Sequence, residues 1–232
     1  MFDSLKERCC KENLKLPELD LVIYTFGNVS IVDREHGVMA IKPSGVDYSL
    51  LTPDKIVIVD LASGKVIDGS YRPSSDTNTH LVLYREFPTI GGIVHTHSTF
   101  AVAWAQAKRN VPVYGTTHAD HLATEIPCTE FMSDARIQND YETETGLQIT
   151  EHFRSAHLNP NEIQMILVAG HGPFTWGATA EIAVYNSKVL EELCKMAFLT
   201  EQIHPGCNSL KQSLIDKHYN RKHGKDAYYG QK

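Results

Sequence analysis

Two apolar runs in this sequence end in histidine. Ile90-Gly91-Gly92-Ile93-Val94 leads into His95-Thr96-His97, and Met165-Ile166-Leu167-Val168-Ala169-Gly170 leads into His171. Both runs read as buried strands. Side chains two apart on a strand point the same way, so His95 and His97 can chelate one cation. His171 is followed by Gly172-Pro173, a pair that predicts a turn. Adjacent strand ends would bring all three rings together, and Asp76 can add a carboxylate oxygen. Three nitrogens and one oxygen suit Zn²⁺, and also Mn²⁺ or Co²⁺. His-x-His alone is equally what a polar strand end looks like; the third histidine after a second apolar run is what fits a shared cation.

Three loops of small residues offer a second kind of chemistry: Gly27-Asn28, Lys42-Pro43-Ser44-Gly45 and Pro73-Ser74-Ser75-Asp76. The last precedes a predicted helix. Backbone N–H groups at a helix N-terminus, joined by serine hydroxyls, can hold a phosphate without an arginine cluster. The same residues are also ordinary turn and N-cap types. Neither Gly-x-x-x-x-Gly-Lys-[Ser/Thr] nor Gly-x-Gly-x-x-Gly occurs, so nucleotide binding finds no support.

The elements that must position these residues follow from pattern. Residues 2–15 predict an amphipathic helix ending before Pro17. Val22–Phe26, Val29–Val32, Val38–Ile41 and Ile56–Val59 predict short strands, with turns at Glu35-His36-Gly37 and Ser63-Gly64-Lys65. Thr77–Phe87, Glu144–Ala156 and Thr179–Ile203 predict helices, the last with Ile182, Val189, Leu193 and Met196 as its core-facing stripe. Strands and helices interleave without a βαβ rhythm, which predicts a mostly antiparallel central sheet covered by helices. Two other folds that use His-x-His fit poorly. A (β/α)₈ barrel needs about 250 residues, and a jelly roll is almost all β.

Composition narrows the class. The chain has 232 residues, enough for one domain with a sizeable core. No apolar run approaches the ~20 residues of a membrane span. The start, Met1-Phe2-Asp3-Ser4-Leu5-Lys6-Glu7, lacks an apolar signal core, so a cytoplasmic protein is expected. Five cysteines with no Cys-x-x-Cys predict reduced thiols. A net charge of −6 argues against general nucleic-acid binding. Lys217, His218, Arg221, Lys222, His223 and Lys225 form a basic tail, either a solvated end or local charge for an anionic substrate.

Taken together these segments resemble the class II aldolase/adducin family, almost end to end, from about residue 5 to residue 231. The carriers are Gly27-Asn28-Val29-Ser30, Ile41-Lys42-Pro43-Ser44-Gly45-Val46, Pro73-Ser74-Ser75-Asp76-Thr77 and Gly91-Gly92-Ile93-Val94-His95-Thr96-His97-Ser98. Gly115-Thr116-Thr117-His118-Ala119-Asp120, Ile126-Pro127-Cys128-Thr129 and His171-Gly172-Pro173-Phe174 continue it, and Asp216-Lys217-His218-Tyr219, Arg221-Lys222-His223-Gly224 and Ala227-Tyr228-Tyr229-Gly230-Gln231 close it.

The resemblance implies a three-layer α/β/α fold with a mainly antiparallel sheet, one catalytic domain over residues 1–232, and a tail, 211–232, that contributes to the active site. It implies a homotetramer with sites at subunit interfaces. Asp76, His95, His97 and His171 match the metal positions, with Zn²⁺ expected. Gly27, Asn28, Ser44, Gly45, Ser74 and Ser75 match the substrate and phosphate positions. Asp120 and Tyr229 match the acid–base pair, which a neighbouring subunit can supply, and Lys42, Glu142 and His218 match possible site-lining positions. The implied substrate is a small phosphorylated ketopentose. The implied reaction inverts carbon 4 of L-ribulose 5-phosphate to give D-xylulose 5-phosphate, in arabinose, ascorbate or another pentose breakdown. The rivals within the family are an aldolase of the fuculose or rhamnulose 1-phosphate type, and a non-catalytic binding domain like the adducin head.

Overall fold

The computed structural model describes residues 2–229; Met1 and residues 230–232, including Gly230 and Gln231, lie outside the described residues. Helix α1 (Asp3–Glu18) is followed by strands β1 (Asn28–Asp33), β2 (Val38–Ile41), β3 (Val57–Asp60) and β4 (Val66–Asp68). Helix α2 (Thr77–Glu86) leads to β5 (Gly92–His95), α3 (Thr99–Gln106) and the single turns α4 (Thr116–Ala119) and α5 (Asp134–Ile137). Then come α6 (Tyr141–Ser155), the hairpin of β6 (Met165–Val168) and β7 (Gly172–Gly177), the long α7 (Ala180–Ile203) and α8 (Gln212–His223).

Among the described residues the strands form one 7-stranded sheet, ordered β4-β3-β2-β1-β5-β7-β6. Every named pairing is antiparallel. Alternate side chains feed two cores. Met39, Ile41, Val57, Val59 and Ile93 pack with Leu81, Tyr84 and Phe87 of the α2 segment and Phe153 of α6. Val38, Ala40, Ile56, Ile58 and Val94 pack with Leu5, Cys9 and Leu16 of α1 and Ala180 and Ala183 of α7. Helices therefore cover both faces, as the α/β/α expectation requires. Among the described residues no helix is long and apolar enough to cross a membrane.

Three local expectations need correction. Helix α1 runs through Pro17 to Glu18. Proline in the last turn gives up its own hydrogen bond and crowds the carbonyl one turn back, and with only one residue of helix after it, buried Leu16 and Leu21 hold that turn against the sheet. Val22–Phe26 is no strand. Its would-be partner β1 already pairs with β2 on one side and β5 on the other, so β1 has no open side to offer it. The segment is a turn, with Tyr24 left-handed at φ 54°. Finally, Ile182 and Met196 of α7 are surface residues, each 40% exposed. The face that packs on the sheet carries Ala183, Ser187, Leu190 and Cys194. Small residues let the helix approach closely, so volume rather than hydropathy chose the face.

Candidate metal centre

Strand pairing aligns the residues of the centre. Asn28, the first residue of β1, lies directly opposite His95, the last residue of β5. Just before it, Gly27 adopts φ 77°, and a Cβ there would meet the His95 carbonyl oxygen at 2.9 Å. Beyond His95 the chain passes through buried Thr96 to His97 and into α3. The start of α3 is fixed by buried Glu191 of α7, whose two carboxylate oxygens accept from Phe100 N–H and Ala101 N–H, both at 2.9 Å. A carboxylate at a helix N-terminus satisfies orphan donors and complements the dipole.

His171 lies in the 169–171 turn of the β6–β7 hairpin. Gly172 and Pro173 belong to β7 rather than to a turn. Because β7 pairs with β5, His95 facing Phe174, the hairpin turn meets the end of β5. The candidate ligand atoms of His95, His97 and His171 lie within 4.8 Å of one another. His95 Nε2 and His97 Nε2 are 3.0 Å apart. Nδ1 of His95 is 2.9 Å from the Pro173 carbonyl, which can only accept, so the hydrogen sits on Nδ1 and the Nε2 lone pair faces the cluster. The His95 ring stacks on Phe174 at 4.3 Å. Burial, and then the neighbouring His95 ring, hold His171 far below the ordinary histidine range. A neutral imidazole is the form a metal binds.

Asp76 immediately precedes α2 without a side-chain capping bond, and its carboxylate accepts from Asn28 Nδ2 at 2.6 Å. Burial opposes its ionisation, but electrostatic interaction with the neighbouring His95 and His80 rings and the Asn28 hydrogen bond outweigh burial and lower its pKa. Three clustered imidazoles and a carboxylate lining the same cavity are donor types that fit a divalent cation. Asn28 Oδ1 is buried and has no hydrogen-bond partner among the described residues; Asn28 lines the same cavity as the histidines.

That cavity has a volume of about 540 Å³. The histidines and Asp76 share it with the small-residue loops, which pair through their backbones. Ser44 N–H donates to the Arg72 carbonyl at 2.9 Å and Ser74 N–H to the Lys42 carbonyl at 3.0 Å. Gly27, Asn28, Ser44, Gly45, Ser74 and Ser75 all line it. Lys42 does too, its ammonium 3.2 Å from the Thr25 carbonyl and its pKa pushed down to about 8 by burial. One cavity thus combines a cation-binding donor set with a loop pair suited to an anion.

The family model for the class II aldolase and adducin N-terminal domain matches residues 7–198. The chain belongs to the class II aldolase/adducin family. Solved structures agree in fold. An L-fuculose 1-phosphate aldolase superimposes with TM-score 0.78 at 24% identity, covering 94% of this chain and 95% of that one. The L-fuculose-1-phosphate aldolase of Thermus thermophilus gives 0.67 at 23% identity, covering 89% and 98%. YgbL of Escherichia coli, a putative aldolase/epimerase/decarboxylase by its own description, gives 0.72 at 21% identity, covering 93% and 97%.

Within this class II aldolase-family chain, the remaining candidates divide. Glu142 lines the cavity. Asp120, His218 and Tyr229 do not; they gather where α8 docks on α4. Asp120 accepts from Arg221 Nε at 3.0 Å and Nη2 at 2.7 Å, and lies 3.0 Å from His218 Nδ1. Burial opposes ionisation of Asp120, but the Arg221 and His218 hydrogen bonds and the Lys222 charge hold its carboxyl below the ordinary range. The ring of Tyr229 lies 4.8 Å from the Arg221 guanidinium carbon, and the residue is 59% exposed.

Two residues at the centre carry no sequence signal. Tyr141 and Phe26 both line the cavity; the Phe26 ring is 6.2 Å from His97, and Tyr141 Oη is 3.3 Å from His171 Nδ1. Tyr141 opens a helix and Phe26 ends an apolar run, and neither pattern distinguishes it from an ordinary packing residue.

Proposed function

We propose that the chain is a metal-dependent L-ribulose-5-phosphate 4-epimerase. Carbon 4 of the substrate bears no acidic proton, so simple deprotonation cannot invert it, whereas cleavage and re-formation of the C3–C4 bond can. The observation that carries this reading is one cavity lined by the clustered His95, His97 and His171, by Asp76 and by the paired serine loops. When bound, the cation, with Zn²⁺ first and Mn²⁺ or Co²⁺ as alternatives, supplies Lewis-acid stabilisation of the negative charge that develops on cleavage.

The chain's own groups then have distinct tasks. Ser44, Gly45, Ser74 and Ser75 anchor the phosphate, so the glycolaldehyde phosphate fragment stays in place while its aldehyde turns over. Gly27 and Asn28 orient the sugar, and Lys42 and Glu142 line its path. One acid–base group takes the carbon 4 hydroxyl proton during cleavage and another returns a proton after rotation. Asp120, kept ionised by Arg221 and His218, suits the base, and the Tyr229 hydroxyl suits the acid; the roles exchange in the reverse reaction. Both stand apart from the cavity of their own chain, so this reading assigns them, with the 211–232 tail and His218, to the site of a neighbouring subunit in a cytoplasmic homotetramer. Enclosure at such an interface slows fragment escape and excludes water.

A second reading is an aldolase of the fuculose or rhamnulose 1-phosphate type, favoured by the solved structures that carry the fuculose name. Those aldolases resemble this chain in the histidines but use a glutamate as acid–base where Asp76 stands. The shorter aspartate reaches a cation and is less well placed to shuttle protons. An adducin-like binding role predicts lost ligands, whereas all four candidate positions keep metal-binding side chains. The deciding experiment incubates the purified protein with L-ribulose 5-phosphate, with and without a chelator. D-Xylulose 5-phosphate that disappears on chelation supports the epimerase. Accumulating free glycolaldehyde phosphate would replace it with the aldolase.

A further inference from the structure

We propose that Tyr141 is a positioning residue of the cation centre: it fixes the His171 ring through Nδ1 and turns its own hydroxyl hydrogen toward the cavity. The inference rests on the metal-centred reading above. It begins from an asymmetry among the rings. His95 is oriented by a backbone carbonyl, that of Pro173. His171 has no such carbonyl; among the described residues its side chain has one hydrogen-bond partner, the Tyr141 hydroxyl at 3.3 Å. The two rings lie 6.1 Å apart and tilted by 33°.

The placement of Tyr141 is built, not incidental. It is the first residue of α6, whose cap Asp140 accepts from Thr143 N–H at 3.3 Å and Thr143 Oγ1 at 2.7 Å. Asn78 Nδ2 donates to the same carboxylate at 3.2 Å, and Thr79 Oγ1 donates to the Glu142 carbonyl at 2.6 Å. Both donors stand in the first turn of α2, directly after Asp76. The turn carrying Tyr141 is therefore clamped to the turn carrying the carboxylate of the centre.

Hydrogen accounting gives the phenol its second task. A neutral imidazole has one N–H. With Nδ1 facing Tyr141, Nε2 is the nitrogen left for a cation, so the hydrogen lies on Nδ1 and donates to the phenolic oxygen. That oxygen accepts, and its own hydrogen is left for another acceptor, the Thr145 hydroxyl one turn on or a group in the cavity. Tyr141 lines the cavity, so this O–H is available to an oxygen of a bound sugar.

The test compares wild type with Tyr141→Phe, which keeps the ring and removes the oxygen. Zn²⁺ affinity is measured on the full chain by competition with a chromogenic chelator, and the visible spectrum is recorded on the Co²⁺-loaded protein. The expected result is zinc affinity weaker by about 10–100-fold and displaced Co²⁺ bands, with unchanged melting of the metal-free protein. Should Tyr141→Phe also lower that melting temperature, Thr79→Val loosens the same turn without touching His171 and becomes the reference. Zinc affinity and Co²⁺ bands in Tyr141→Phe equal to the reference overturn the proposal. A wild type that binds zinc beside an indifferent Tyr141→Phe overturns the role of Tyr141 alone; a wild type that binds none overturns the metal-centred reading with it.

Discussion

Gly27 and Gly45 make an internal control for how backbone geometry supports the centre. Both are left-handed, at φ 77° and φ 67°. An alanine in that conformation costs roughly 1–2 kcal/mol, offset by roughly 0.4–1 kcal/mol from a stiffer unfolded chain. At Gly45 a Cβ meets nothing within 4 Å, so Gly45→Ala should cost only the net conformational term, about 1 kcal/mol. At Gly27 the Cβ would lie 2.8 Å from Val22 Cγ1 and 2.9 Å from the His95 carbonyl oxygen. The valine can swing, but the carbonyl is part of β5 and cannot. Overpacking of this kind adds about 1–3 kcal/mol, giving about 3 kcal/mol in total for Gly27→Ala. In a domain of this size 1 kcal/mol lowers Tm by about 2–4 °C. Gly45→Ala should therefore lose about 2–4 °C and Gly27→Ala about 6–12 °C. Calorimetry at one protein concentration, with chelator in excess, measures both. Zinc competition should then show weakened binding in Gly27→Ala only, because only there is the displaced atom in a residue of the candidate cation cluster. Equal melting temperatures in the two variants would refute the close-approach reasoning, and equal zinc affinities would refute its link to the metal centre.

Asp120→Asn should lower epimerisation by roughly two orders of magnitude or more, the usual scale for a lost acid–base group, with metal content unchanged by atomic absorption; near-wild-type turnover would remove Asp120 from the mechanism. Chelation should abolish activity, and added Zn²⁺, Mn²⁺ or Co²⁺ should restore it, as read by formation of D-xylulose 5-phosphate. Mild acid should destabilise the metal-free protein. Burial pushes His80 down to about 3 and His118 to about 4, whereas unfolded histidine titrates near ~6.5. Between those values the unfolded chain holds more protons, so the contribution of these neutral rings is complete above about pH 6.5 and shrinks as pH falls. At about pH 5 each should have lost on the order of 2 kcal/mol. Urea midpoints at neutral and mildly acidic pH measure it, and coincident midpoints would show that the rings are not held neutral.

Legibility differed from residue to residue. Strands β1, β2, β3 and β5 were readable because short β-branched runs between turn residues leave few alternatives. Val22–Phe26 has the same composition and contains a turn, since the adjacent β1 is already paired on both sides and composition does not report which strands are taken. The buried face of α7 escaped for a related reason: hydropathy marks Ile182 and Met196, but close packing on the sheet selected Ala183, Ser187 and Cys194. His95 and His97 share a strand end and were visible as a pair. The outward anchor of His95 on the Pro173 carbonyl, 78 residues away, was not. Tyr141 was invisible for the same reason.

The sequence by itself determined which groups are present and how those near in the chain are aimed. His-x-His at a strand end, serines before a helix and the ordered family segments are all local patterns, set by the two-residue period of a strand and the cap chemistry of a helix. Only the tertiary structure decided which of these groups meet. Pairing of β1 with β5 and of β5 with β7 brought Asn28, His95 and the hairpin turn of His171 to one end of the sheet. Pairing of the 42–45 and 72–75 loops placed the serines beside them. The same packing set Asp120 and Tyr229 on the α8 surface, away from the cavity. Contacts of this range depend on register, edge availability and side-chain volume, which are properties of the folded whole and leave no local pattern in the chain.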